Sequence, residues 1–200
     1  MASLLGAVAM LAVLFVGLSE ERSAGSSRSY TSVLTVPNGE RFGTWMWPEM
    51  CPDQYFAVGF SIRVESSQGN GDDTALNGIR LICGKDGELN FMYTAQSHPG
   101  FWGEWSHPQY CPSGVLTSFQ LRVEAHRGNI DDTTANNIKF RCSSNPTLEG
   151  TGMGWGEYGS WSPTCGNGGI CGIETKIEGQ QGDGDDTALN DVRFRCCARA

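Results

Sequence analysis

"GDDTALNGIRLIC" runs from Gly71 to Cys83, "IDDTTANNIKFRC" from Ile130 to Cys142, and "GDDTALNDVRFRC" from Gly184 to Cys196. Three times, an acidic heptapeptide leads into a short apolar-alternating run that ends in cysteine. The offsets are 59 residues (Asp72 to Asp131) and 54 residues (Asp131 to Asp185). Repetition at such a period means that one supersecondary unit is used repeatedly, and it decides the architecture before any single residue does. Working outward extends the repeat. Upstream of the heptapeptides stand "GFSIRVE", "SFQLRVE" and "IETKIEG". Further upstream are the aromatic- and glycine-rich stretches "FGTWMWPEMC", "GFWGEWSHPQYC" and "GWGEYGSWSPTC", closing on Cys51, Cys111 and Cys165.

A period of two sorts the faces of these runs. Phe60, Ile62 and Val64 point one way, and Ser61, Arg63 and Glu65 the other. Phe119, Leu121 and Val123 oppose Gln120, Arg122 and Glu124, and Ile173, Thr175 and Ile177 oppose Glu174, Lys176 and Glu178. In the closing runs Cys83, Cys142 and Cys196 share the inward phase, while Arg80, Lys139 and Arg193 face outward. A sheet of a few strands has one apolar face that it must bury. Three such sheets about a threefold axis bury theirs against one another. The expectation is therefore all-β: a single closed domain over residues 30–200, built of repeats at about 30–90, 91–146 and 147–200.

Eight cysteines allow 105 pairings. Threefold repetition selects Cys51–Cys83, Cys111–Cys142 and Cys165–Cys196, each closing its own repeat, and leaves Cys171–Cys197. Each bridge closes a loop of about 30 residues and contributes on the order of 3–4 kcal/mol through the unfolded state. Disulfides imply an oxidising compartment, and the start of the chain agrees. Leu4 to Leu18 is an apolar run of 15 residues, followed by Ser19 and charged residues. That is short for a membrane span and fits a secretory signal over 1–19, with a flexible leader over 20–29. The n-region lacks Lys and Arg. The expected localisation is secreted and extracellular, with no membrane partner after cleavage.

The formal charge is −8. Such a surface repels phosphate backbones and anionic bilayers, so nucleic acid is not an expected partner. Neither CxxC nor Cys/His spacing is present for zinc, and His98, His107 and His126 are scattered as surface or turn residues. No metal and no cofactor are expected.

The triple acidic heptapeptide, the Trp-Gly stretches before each first cysteine and "YTSVLTVPNG" (Tyr30 to Gly39) resemble the vitelline membrane outer layer protein 1 family over about Tyr30 to Cys197. The doubled cysteine, Cys196 and Cys197, fits the same resemblance. The resemblance implies a β-prism of three Greek-key sheets around a pseudo-threefold axis. It also implies secretion, a place in an egg coat or epithelial secretion, and a link to carbohydrate. The repeats are not identical: Thr134 and Ala135 replace Ala-Leu in the second heptapeptide, and Thr44 stands where the others carry Glu104 and Glu157.

Asp72, Asp73, Asp131, Asp132, Asp185 and Asp186 admit four readings. As turn residues their carboxylates accept backbone N–H groups, with Asn77, Asn136 and Asn190 just before the closing strands, and this reading is preferred. Calcium would find oxygens here, but the EF-hand order is absent. Glycoside chemistry needs two carboxyls in unlike environments, whereas repetition makes these alike. Glycan binding would use carboxylates for hydroxyls and exposed aromatics for sugar faces. Its candidates are those six Asp residues with Glu104, Glu157, Trp102 and Trp155. Trp45, Trp47, Trp105 and Trp161 are further platforms, although most of the tryptophans are expected to fill the core. The function expected is a secreted structural or binding protein of a coat or secretion that holds glycans or glycoproteins without catalysis. A weak lysozyme-like activity on N-acetylglucosamine oligomers is the alternative.

Overall fold

Alternating apolar runs become long antiparallel hairpins in the computed structural model, which describes residues 28–65, 75–85, 88–124, 134–179 and 189–199. Every regular element among these residues is a strand: β1 (Ser32–Leu34), β2 (Thr44–Trp45), β3 (Glu49–Met50), β4 (Phe56–Val64), β5 (Leu76–Lys85), β6 (Glu88–Ala95), β7 (Glu104–Trp105), β8 (Gln109–Tyr110), β9 (Leu116–Val123), β10 (Ala135–Cys142), β11 (Thr147–Glu149), β12 (Glu157–Tyr158), β13 (Gly168–Ile177) and β14 (Leu189–Ala198).

They form three sheets. The first has the order β6-β5-β4-β7, with β8 also on β4. The second is β11-β10-β9-β12, and the third β1-β14-β13-β2, with β3 also on β13. In the first two, three consecutive strands are followed by a fourth that returns beside the first of them, which is Greek-key order. The third sheet reaches the same order by taking β1, β2 and β3 from the other end of the chain. Sheets and sequence repeats are therefore offset. The aromatic-glycine stretch of each repeat lies on the sheet of the repeat before it, and the stretch of the first repeat closes the third sheet.

The inward phase builds the core as read from the sequence. Phe60, Phe119, Phe140 and Phe194 are fully buried. Phe140 stands 4.7 Å from Phe60 and 5.2 Å from Phe194, ring centre to ring centre, and Phe119 stands 4.8 Å from Phe194. Leu81 and Ile173 fill the equivalent places in the first and third sheets. The tryptophans do not fill the core: none of the six is buried. Their stretches pair as outer strands, so their rings lie on the outside of the prism.

All four expected disulfides are present. In space, the first three bridge sheets rather than close one. Cys51 N–H donates to the Cys171 carbonyl of the third sheet, Cys111 to Val58 of the first, and Cys165 to Thr117 of the second. Their partners Cys83, Cys142 and Cys196 belong to the first, second and third sheets respectively. The bridges thus staple the sheets in a closed ring. Cys171–Cys197 joins β13 to β14 and packs with Phe56 and Val115 in a smaller cluster.

Two expectations change. Glu174 is buried rather than exposed, because Arg193 and Arg195 of the adjacent strand converge on it at 2.5 and 2.7 Å. Burial alone would raise its pKa; the two guanidiniums outweigh that and hold the carboxyl below its usual range. Asn77, Asn136 and Asn190 are buried strand residues, not turn residues before the strands. Their carbonyls accept N–H from Gly100, Met153 and Glu40, which stand three residues before Gly103, Gly156 and Gly43 respectively. Of the expected leader, Arg28 and Ser29 are described. Arg28 is anchored, its Nη1 donating to the Pro52 carbonyl at 2.8 Å. The signal segment lies outside the described residues.

Candidate functional site

The three aromatic-glycine corners are built alike. Gly43, Gly103 and Gly156 take φ of 76°, 83° and 67°. A Cβ at these places would meet the carbonyl oxygens of Ile177, Val64 and Val123 at 2.5, 2.2 and 2.1 Å, so the turn demands glycine. The next two residues then pair with the long strand: Thr44–Trp45 with Ile177 and Lys176, Glu104–Trp105 with Val64 and Arg63, Glu157–Tyr158 with Val123 and Arg122. The basic partner holds the turn. Arg63 Nε donates to the Gly103 carbonyl at 2.8 Å, Arg122 Nε to Gly156 at 2.9 Å, and Lys176 Nζ to Arg41 at 2.7 Å. Outward-facing Arg80, Lys139 and Arg193 lie over Trp105, Tyr158 and Trp45 at 3.5, 3.9 and 4.2 Å. Such pairs contribute about 0.5–2 kcal/mol each. Trp45 and Trp105 are therefore committed to the frame, and Trp161 likewise stacks on Arg141 at 4.3 Å.

Between the third and first sheets this frame opens an aromatic groove. Trp47 is 54% exposed, Phe101 63% and Trp102 48%. The His98 ring stands 5.3 Å from that of Trp47 and 6.0 Å from that of Phe101. His98 Nδ1 stands 2.5 Å from the Pro99 carbonyl oxygen. Backbone and hydroxyl bonds fix the walls. Ser97 Oγ donates to the Trp47 carbonyl at 2.8 Å, Thr175 Oγ1 to the His98 carbonyl at 2.7 Å, and Trp102 N–H reaches Asn77 Oδ1 at 3.4 Å. Thr175 is the one polar residue in a place where the other sheets carry Ile62 and Leu121.

Between the second and third sheets the equivalent groove is acidic. It is a cleft of about 400 Å³ lined by Asn38, Glu40, Glu157 and Tyr158 among others. Asn38 stands in the place of His98, five residues before the turn glycine. Its Nδ2 donates to the Leu121 carbonyl at 2.9 Å, and its Oδ1 is buried without a hydrogen-bond partner. Tyr158 OH donates to Glu149 Oε1 at 2.9 Å; burial and this carboxylate push its pKa well up. Behind the loop, Asp191 accepts the Val192 N–H at 2.8 Å, and burial pushes its carboxyl up to about 6.

Of the residues singled out in the sequence, Asp72, Asp73, Asp131, Asp132, Asp185 and Asp186 lie outside the described residues. Trp102 is exposed next to Phe101 of the aromatic groove, and Glu104, two residues on, is exposed as well. Glu157 lines the acidic cleft, and Trp155, half-buried, flanks the same corner. These four do not meet, since β7 belongs to the first sheet and β12 to the second. Sequence reasoning missed His98, Phe101, Asn38 and Glu40 as site residues. The run "HPGFWGE" (His98 to Glu104) was the available signal: two adjacent aromatics break the period-two alternation and cannot both turn inward.

Residues 32–199 match the family described as Vitelline membrane outer layer protein I (VOMI). The chain is 53% identical over 170 residues to the human vitelline membrane outer layer protein 1 homolog, covering 84% of each chain. It is 52% identical over 171 residues to the mouse homolog, covering 84% of this chain and 85% of that one. Among solved structures, artocarpin in complex with mannopentose superposes with a TM-score of 0.52 at 11% identity, covering 84% of this chain and 98% of that one. A mannose-specific jacalin-related lectin from Morus nigra, in complex with mannose, superposes with a TM-score of 0.51 at 16% identity, covering 85% and 96%. At such identity the likeness establishes the β-prism fold alone.

Proposed function

The chain belongs to the vitelline membrane outer layer protein I family, and we propose that it is a secreted, non-catalytic glycan-binding protein of an extracellular coat or secretion. The observation that carries this reading is the aromatic groove: Trp47, Phe101 and Trp102 stand exposed on a frame stapled by disulfides. Flat exposed rings suit the apolar faces of pyranoses, and fixed rings cost little ordering on binding. Other proteins of this fold hold mannose or mannopentose, which supports the class of ligand and not its identity. The four disulfides support secretion through an oxidising compartment.

The test is a glycan array probed with the mature protein, with and without calcium, beside Trp47→Ala and Trp102→Ala. Retention of a neutral oligosaccharide that falls about tenfold or more in either variant is expected. No retained glycan, or retention indifferent to both variants, overturns the reading. The acidic cleft, with Glu40 and Glu157 on its walls, keeps hydrolysis as a second reading. Mass spectrometry of N-acetylglucosamine oligomers after long incubation is expected to show no products. Products that vanish in Glu157→Gln would establish the enzyme instead.

A further inference from the structure

Three outward cations hold equivalent places on the three sheets, and their partners differ. Arg80 of β5 pairs across its hairpin with Ser61, Lys139 of β10 with Gln120, and Arg193 of β14 with Glu174. Each lies over a ring of the corner beside it, Trp105, Tyr158 and Trp45 in turn. Arg193 bonds the Glu174 carboxylate of its own hairpin, and Lys139 stands 3.4 Å from Glu149 on the next strand. At Arg80 both acidic places are neutral. Ser61 stands where the third sheet has Glu174, and its hydroxyl donates to the Ser106 carbonyl at 2.7 Å. Gln96 stands where the second sheet has Glu149. It follows Ala95, which pairs with Leu81, just as Glu149 follows Leu148, which pairs with Phe140.

Arg80 therefore has no carboxylate partner among the described residues. It stacks on Trp105 at 3.5 Å, and its Nε is buried without a hydrogen-bond partner. The charged neighbour that acts on it is Arg63, a like charge. Burial first, and then that repulsion, pull its pKa below the ordinary guanidinium value. A ring face stabilises a cation without neutralising it. Arg63 in turn donates to the carbonyls of Gly103 and Gly100, which bracket Phe101 and Trp102. The two guanidiniums thus adjoin the corner that carries the exposed rings. Pro99 and Trp105 of that corner close over Gly78, two residues before Arg80 and on the same face of β5.

We propose that Arg80 receives the carboxylate of an acidic sugar, a uronic or sialic acid, whose neighbouring rings lie on the aromatic corner. The proposal rests on the glycan reading above and names the class of glycan. The other two sheets supply the precedent, because there the equivalent cation takes a carboxylate. The planar fork of an arginine matches the two oxygens of a carboxylate. An anion at this place also relieves the repulsion between Arg63 and Arg80. A neutral sugar does neither, and a lone carboxylate leaves Phe101 and Trp102 uncovered.

The experiment is a glycan array on which sialylated and uronic-acid oligosaccharides each stand beside their methyl esters, probed with the mature chain. Calorimetry follows with the best-retained pair, with sodium acetate and with N-acetylglutamate amide. The acid is expected to bind about tenfold or more tighter than its ester, than acetate and than the amino-acid carboxylate. Arg80→Gln weakens the acid about tenfold, to the level of the ester. Because Arg80 also stacks on Trp105, Gln96→Glu serves as the second variant. It supplies from within the carboxylate that Lys139 finds in Glu149, so it weakens the acid to the same level without lowering the melting temperature. Trp102→Ala weakens acid and ester alike. Equal binding of acid and ester overturns this proposal and leaves the aromatic groove as a neutral-glycan site. Equal binding of acetate or the amino-acid carboxylate, or acid binding that survives both Arg80→Gln and Gln96→Glu, overturns it as well. Retention of no acid, with neutral glycans still held, removes this proposal alone; retention of no glycan at all removes both readings.

Discussion

Two grooves of one backbone geometry carry opposite chemistry in this prism. In both, the residue five before the left-handed glycine meets the same position of a long strand. Asn38 reaches the Leu121 carbonyl, and the His98 carbonyl receives the Thr175 hydroxyl. Beside His98 stand Trp47 and Phe101, and Trp102, next in the chain, is exposed; around Asn38 stand Glu40, Glu157 and Tyr158. The third groove is crossed by Gln109, whose Nε2 donates to the Glu149 carbonyl at 2.6 Å. The repeat therefore fixes where grooves lie, and the side chains decide what each can hold. Threefold architecture does not mean three equal sites.

The comparison breaks most completely when the shared frame is removed. Phe140→Ala deletes the ring that touches Phe60, Phe119 and Phe194. A loss of about 3–5 kcal/mol is expected in denaturant unfolding, with both grooves lost together. Glu174→Gln follows at about 3 kcal/mol, because it leaves Arg193 and Arg195 gathered around a neutral group. The native carboxyl is held below its ordinary pKa, so its stabilisation is present above the unfolded value and fades as pH falls through the folded one. A melting series into acid should show that loss in the native chain and not in the variant.

Asp191 behaves with the opposite sign, and the second repeat supplies its control. Asn137 occupies the same place and accepts the Ile138 N–H at 2.9 Å with no charge, as Asp191 accepts Val192 at 2.8 Å. The Asp191 pKa rises from 3.8 to about 6, so its contribution is fully present below the lower value and is lost as pH rises through the higher. Asp191→Asn is expected to raise stability at neutral pH by on the order of 2 kcal/mol and to flatten the profile between these values. An unchanged profile would remove Asp191 as its source. The smallest effect on stability falls on the aromatic groove itself: Trp102→Ala should leave unfolding within about 0.5 kcal/mol of the native chain while weakening glycan retention.

Much of this was legible before any coordinates. Period-two alternation placed Phe60, Phe119, Phe140 and Phe194 inside, and repetition alone selected all four disulfides. The offset between repeats and sheets was not legible, because strands of two residues such as β2, β7 and β12 are too short to alternate. The tryptophans misled for a related reason. Their area favours burial, yet an outer strand turns them onto Arg80, Arg193 and Arg141, and cation–ring contact meets the demand instead. Glu174 read as exposed because phase says which side of a sheet a residue is on, not what covers that side. His98 and Asn38 gain their meaning from residues far along the chain, which no local window contains.

The central claim is that one groove of three, the aromatic one, is the glycan site. It is tested most directly by following the six tryptophan indole N–H resonances during titration with the neutral oligosaccharide that the array selects. The account predicts that Trp47 and Trp102 shift together while Trp45 and Trp105, stacked on their arginines, stay in place. Equal shifts at all three corners, or shifts confined to the Trp155 corner beside Glu157, would contradict it.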